Sequence, residues 1–201
     1  MTVSSDLRLR ELEHRFTNIL TIVRSIVSQS LQSASSINEA KGSIDNRLAA
    51  LSGAVEQLLS AGWEAAPLPA LAEQALGHFS IYTERVRLDG PAIKVGPQAA
   101  MTLTLVFHEL ATNAIKYGAL SNGTGKVELT WKMLGPDDQA ELWIQWAEHG
   151  GPPVTPPDRR GFGSRLICAA AGRSLRGRAE LEFPISGVVW TLIAPMATIA
   201  A

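Results

Sequence analysis

Residues 107–121 read FHELATNAIKYGALS, and this stretch decides the fold. With the residues just before it, Leu103, Val106, Leu110, Ala114 and Tyr117 recur at spacings of three and four. That spacing predicts the apolar stripe of one helix. Glu109, Asn113 and Lys116 recur on a different stripe, and side chains so spaced project together from one helix face. A carboxylate, a carboxamide and an ammonium in a row suit a metal–phosphate ligand, and they also fit a plain solvated face. Gly96-Pro97 places a proline at the helix start, and Gly118 is the expected residue just past its end.

On either side of this helix the pattern changes to short strands. Val127 to Met133 and Glu141 to Trp146 alternate as antiparallel strands around the turn Gly135 to Asp138. Ala179 to Phe183 and Val188 to Ile193 predict a last hairpin through Pro184 to Gly187. Upstream, Ala70 to Phe79 is a short helix, and residues 85–88 and 92–95 are strands joined by the turn Asp89-Gly90-Pro91. One helical layer on a mixed or antiparallel sheet is an α+β outline. Gly123-Thr124-Gly125-Lys126 lacks the spacing of a phosphate-binding P-loop and no helix follows, so it reads as a turn into a strand. Gly161 to Ala171 opens a helix whose N-terminal N–H groups and dipole would favour an anion.

Residues 1–61 have a different character. Leu12, Phe16, Ile19, Val23, Ile26 and Ser30 form a heptad-like seam widened by Leu20, Val27 and Leu31. Ile44, Leu48, Leu51, Val55 and Leu58 form a second. Gln32 to Ser35 should end the first helix, and Ser36-Ile37-Asn38-Glu39 fits a capping box. A connection this short predicts an antiparallel hairpin. A second copy of the hairpin would bury both stripes as a four-helix bundle, and packing against the rest of the chain would be the alternative. His14 lies off the seam, roughly 200° around from Leu12 at about 100° per residue, so it should face solvent. Gly62 to Pro69 carries a glycine and two prolines and reads as a linker, with residues 70–201 forming the second domain.

The bulk composition narrows the class. The chain has 201 residues with a formal charge of −1, which gives no global electrostatic case for nucleic acid or an anionic membrane. At 46% hydrophobic and 18% charged it is ordinary for a globular protein. A lone Cys168 excludes an internal disulfide and a cysteine-based zinc site. No signal peptide or membrane-length apolar run is seen, so the expected location is the cytoplasm.

HELATNAIKYGALS closely resembles the N box of the HWE family of histidine kinases, named for a His in this box and a Trp-x-Glu further on. Here these are His108 and Trp146-Ala147-Glu148. Glu11 to Asn18 (ELEHRFTN) is similar to the family's H box, with Thr17 where a Lys is common. Glu148-His149-Gly150-Gly151 and Gly161-Phe162-Gly163-Ser164, the latter followed by Arg165, resemble its two glycine boxes. Between them, PPVTPPDRR looks like a short ATP lid. The resemblance implies the ATP-binding fold shared by histidine kinases, gyrase B, Hsp90 and MutL. It implies ATP and Mg²⁺ as ligands, with Asn113 and Glu109 serving the metal. His108, Lys116, Tyr117, Trp146, Gly150, Gly151, Gly161, Gly163, Ser164 and Arg165 would line the nucleotide site, and Glu148 would accept the adenine amino group. His14 would be the phosphoacceptor, with Glu13 or Glu11 handling its proton and Asn18 one turn on. The implied partners are a receiver domain and a second copy of the chain. A histidine phosphotransferase that does not use ATP, or a receiver phosphatase, could share this architecture.

Overall fold

The structure is a computed structural model that describes residues 2–77, 79, 84–136, 139–156, 167–168 and 171–201; the side chains of residues 2–9, 11 and 14 lie outside that description. The chain divides into two compact units, residues 1–49 and 50–201.

The first unit is helical. Helix α1 spans Thr2–Ser33 and α2 spans Ile37–Ser60, the latter continuing into the second unit. The turn between them is capped one residue away from the expected pattern. Ser36 Oγ accepts the Glu39 N–H at 3.2 Å as a cap should. The Glu39 carboxylate, however, returns to Ser35, accepting its backbone N–H at 2.8 Å and its hydroxyl at 2.6 Å. The carboxylate thereby takes both donors of Ser35, its N–H and its hydroxyl. Along α1 the expected seam is buried only at its far end. Ile26 and Ser30 are buried, whereas Leu12, Phe16, Leu20 and Leu31 are exposed. At Ser30 the contact with α2 is polar: Arg47 donates to the Ser30 hydroxyl at 2.6 Å and also to Ser43. A guanidinium this buried is tolerated because hydrogen bonds replace its water.

The second unit is a two-layer sandwich. Its five-stranded sheet has β2 (Val86–Asp89), β4 (Lys126–Leu134), β5 (Glu141–His149), β7 (Val189–Pro195) and β6 (Arg178–Glu182) in that spatial order. Strand β2 runs parallel to β4, and the other pairings are antiparallel. Period-two alternation buries Val127, Leu129 and Trp131 of β4, Leu142, Ile144 and Trp146 of β5, and Trp190, Leu192 and Ala194 of β7. Helices α3 (Leu68–Gly77) and α4 (Pro97–Lys116) supply the other layer. From Ala99 to Ala111 every residue of α4 is buried, so it is the central helix of the core. The short helices α5 (Ala171–Ser174) and α6 (Met196–Ile199) complete the described elements.

Two sequence expectations change here. Residues 62–69 are not a free tether: β1 (Ala66–Pro67) pairs antiparallel with β3 (Lys94–Val95), and α3 already begins at Leu68. Ala66 and Leu68 are fully buried and Leu68 N–H bonds to Ile93, so the stretch is anchored by packing. The last half of α2 belongs to the same unit, with Gly53 abutting the Gln74 side chain and Gln57 bonding to Ala70 O at 3.1 Å. The division between units therefore falls within α2. The second change concerns residues 85–95, which do not form a hairpin. β2 joins the large sheet and β3 the small one. Trp131 of β4 packs against Gly90 and donates its indole N–H to Pro91 O at 2.8 Å, which turns the chain out of the large sheet.

Candidate functional site

The site is built where α4 ends and β5 ends. Helix α4 stops at Lys116, and the N–H of Gly118 bonds back to the carbonyls of Asn113 and Ala114, both at 3.1 Å. Gly118 has φ −104°, so it is not the left-handed helix terminator that its position suggested. The reason for glycine here is distance. A Cβ at Gly118 would sit 2.0 Å from Glu148 Oε2 and 2.9 Å from the Ala114 Cα. The chain then makes a 3₁₀ turn over Ala119–Ser121. The N–H that opens this turn, on Ala119, donates to Glu148 Oε2 at 2.7 Å.

Glu148 lies on β5, only 3% exposed. Its other oxygen, Oε1, accepts the indole N–H of Trp146 at 3.2 Å. The two residues share a strand face, and Trp146 is fully buried. Trp146 thus fills the core with its ring and holds the carboxylate with its nitrogen. Burial pushes the Glu148 carboxyl above the ordinary carboxylate range, and the Ala119 and Trp146 N–H groups pull it partly back by stabilising the anion. Each carboxylate oxygen keeps a further lone pair, so the group retains acceptor capacity for a ligand.

A raised folded-state pKa means that the native protein holds this proton more tightly than the unfolded chain. The stability of the wild type should therefore fall, as pH rises, from the ordinary carboxylate value to the raised one. Glu148→Gln cannot ionise. Its stability relative to wild type should rise across that window and then stay level. Thermal unfolding of both proteins from acid to neutral pH checks this, and a difference that does not change with pH refutes it.

The polar residues of α4 are not equally placed. Glu109 and His108 are buried, and the His108 ring stacks against Phe79 with centroids 5.5 Å apart. Asn113 is half-buried, Lys116 exposed, and Tyr117 is 75% exposed, which removes it from the apolar stripe. Asn113 and Glu148 are linked through the backbone, since Gly118 bonds to Asn113 O and abuts the Glu148 carboxylate. Just past the 3₁₀ turn, Asn122 donates to Gly150 O at 2.9 Å, and its own side-chain oxygen accepts the N–H groups of Thr124 and Gly125. Arg85 donates to Asn122 O at 2.6 Å. Asn122 and Arg85 were not among the expected site residues. The Asn-Gly-Thr-Gly run signalled a turn, but a side chain crossing from that turn to Gly150 leaves no sequence pattern.

Gly161, Gly163, Ser164 and Arg165 lie outside the described residues, as do Arg159 and Arg160. His14 sits on α1, with its side chain likewise outside the description. Around it Glu13 is exposed, Asn18 is half-buried, and the Thr17 hydroxyl is turned back to Glu13 O at 2.8 Å. His14 belongs to the first compact unit, and Asn113 and Glu148 to the second. Among the described residues no helix is long and apolar enough to cross a membrane.

The fold matches that of known proteins. The histidine kinase domain from the Erythrobacter litoralis blue-light activated histidine kinase superposes with a TM-score of 0.68 at 20% identity, covering 97% of this chain and 94% of that one. In sequence, the blue-light-activated histidine kinase of Brucella ovis is 37% identical over 188 residues, and that of Brucella anthropi 39%. Both alignments take in 93% of this chain but 38% of the relative, so the chain spans well under half the length of these curated relatives. A family model described as HWE histidine kinase matches residues 11–92. With Glu148 held by Trp146 at the end of β5 and Asn113 on α4, the chain belongs to the HWE histidine kinase family.

Proposed function

We propose that this protein is an ATP-dependent protein-histidine kinase that phosphorylates itself on His14 and passes the group to the Asp of a receiver domain. The observation that carries the nucleotide half is the buried Glu148 carboxylate, oriented by Ala119 and Trp146 beside the last turn of α4. An oriented, desolvated acceptor is what recognition of an exocyclic amino group requires. Asn113 and Glu109, four residues apart on α4, would serve Mg²⁺. Among the described residues no cluster of three His, Cys, Asp or Glu could hold a metal alone. That donor set fits an ion that takes one or two protein oxygens and completes its shell with phosphates and water. When bound, Mg²⁺ would neutralise phosphate charge.

The chain's own residues supply the rest. The neutral His14 imidazole attacks the γ-phosphorus, an N–P bond forms as the bond to the ADP oxygen breaks, and Glu13 or Glu11 takes the ring proton. The gain comes mainly from positioning and charge neutralisation. Trp146 acts through Glu148, as a positioning residue. The phosphohistidine then meets its receiver along α1, where Glu13, Arg15, Thr17 and Asn18 offer polar contacts suited to partner choice. The exposed Leu12, Phe16 and Leu20 on α1 support pairing with a second copy. We place the protein in the cytoplasm.

Incubation with γ-labelled ATP should give an acid-labile, alkali-stable label on the wild type. Asn113→Ala should weaken nucleotide affinity roughly ten- to hundredfold, the scale of effect of disturbing a metal's surroundings. Wild-type affinity in that variant would remove Asn113 from the site, and absence of label on the wild type would leave the phosphotransferase or phosphatase reading in its place.

A further inference from the structure

Asn122 sits in the turn between the 3₁₀ segment and β4, and three hydrogen bonds of its carboxamide point two ways. The oxygen closes its own loop, accepting Thr124 N–H at 3.1 Å and Gly125 N–H at 2.7 Å. The nitrogen leaves the loop and donates to Gly150 O at 2.9 Å, 28 residues further along the chain. Gly150 is the second residue after Glu148 and has φ +68°, a left-handed turn that lets the chain leave β5. Gly151 then packs so closely on Ala119 that a Cβ would lie 2.7 Å from the Ala119 Cα. Ala119 is the residue whose N–H holds Glu148 Oε2. A ring of contacts therefore runs from Glu148 to Ala119, on through the turn to Asn122, across to Gly150 and back to Glu148. Arg85 braces it from β2's side by donating to Asn122 O and Gly125 O.

We propose that Asn122 is a positioning residue for nucleotide-base recognition: its Nδ2–Gly150 bond fixes the backbone after Glu148 and thereby the aim of the Glu148 carboxylate. The proposal rests on the reading of Glu148 as the base acceptor. The bond is solvent-exposed, so its effect is modest in size but specific in kind.

Asn122→Asp separates the two directions of the side chain. A carboxylate keeps both acceptor bonds to Thr124 and Gly125, so the turn stays closed, but it cannot donate to Gly150 and sets a negative oxygen against a carbonyl. Adenine and guanine nucleotides should be titrated into the wild type, Asn122→Asp, Asn122→Ala and Glu148→Ala, with thermal midpoints measured alongside. We expect Asn122→Asp to lose roughly three- to tenfold in ADP affinity. Its preference for ADP over GDP should narrow, while its midpoint stays near wild type. Asn122→Ala should show the same narrowing with a lowered midpoint.

A purely structural role for the turn predicts the opposite for Asn122→Asp, namely wild-type affinity and preference, and that result overturns the proposal. An equal loss for ADP and GDP overturns it too, because the effect would then not pass through the base. Glu148→Ala tells the two readings apart. If Glu148→Ala loses affinity and Asn122→Asp does not, base recognition by Glu148 stands and the role of Asn122 falls. If Glu148→Ala keeps wild-type affinity, both fall together.

Discussion

His14→Gln should carry no transferable phosphoryl label, a loss on the order of hundredfold or more, as expected when the nucleophile itself is removed. Nucleotide affinity should stay at the wild-type level. The imidazole is the only group of the ELEHRFTN segment with a ring nitrogen that can form an acid-labile, alkali-stable N–P bond. A neutral imidazole keeps a lone pair on one ring nitrogen, and that nitrogen can attack phosphorus. Glutamine is close in size and a good helix former, so α1 should persist. Its carboxamide nitrogen has no available lone pair, and its oxygen is a poor nucleophile. The residues proposed to bind nucleotide belong to the other compact unit, which is why binding and labelling should separate in this variant. Undiminished label would move the acceptor to His78, His108 or His149. His108 is buried and stacked on Phe79, which makes it a poorer acceptor than His149, exposed at the end of β5.

Periodicity made much of this architecture legible. The three- and four-residue spacing marked α4 as a helix, and Gly96-Pro97 and Gly118 placed its ends within a residue. Alternation placed β4, β5 and β7 because each has one face in the core, and it placed the edge strand β6, which alternates between exposed and half-buried residues. Pairing partners were less legible. Nothing local tells residues 94–95 to join residues 66–67 rather than 86–89; that is settled by Trp131, forty residues on, occupying the space over Gly90 and Pro91. The N-terminal seam was read correctly as apolar, but one chain buries only its end at Ile26 and Ser30. In the candidate site, residue types were legible and their relations were not. Trp146 and Glu148 stood two apart on one strand face, yet an indole bonded to that carboxylate is a fact of side-chain geometry. Gly118 was legible as glycine and misread in cause, since the helix-end rule and a close approach ask for the same residue.

Those two causes for Gly118 predict different behaviour, and Gly118→Ala should be strongly destabilising for the second. At φ −104° alanine meets no backbone objection, so a helix-terminating role alone would leave the substitution close to neutral. The added methyl, however, would lie 2.0 Å from Glu148 Oε2 and 2.9 Å from Glu148 Cδ. Something must move, and the carboxylate is the free end of a side chain. Its departure breaks the bond to Ala119 N–H and leaves a buried donor and a buried acid without each other. Overpacking costs about 1–3 kcal/mol. Loss of a hydrogen bond to a charged group adds about 1.5–3 kcal/mol. Nucleotide binding should fail with it, because the same carboxylate is the proposed base acceptor. The cause can be isolated by a double-mutant cycle. In a Glu148→Ala background the carboxylate is gone, so Gly118→Ala should cost much less, keeping only the 2.9 Å encounter with the Ala114 Cα. Chemical denaturation of the four proteins measures the coupling. Equal costs of Gly118→Ala in the two backgrounds would place the need for glycine in the helix end and not in the carboxylate that reaches over it.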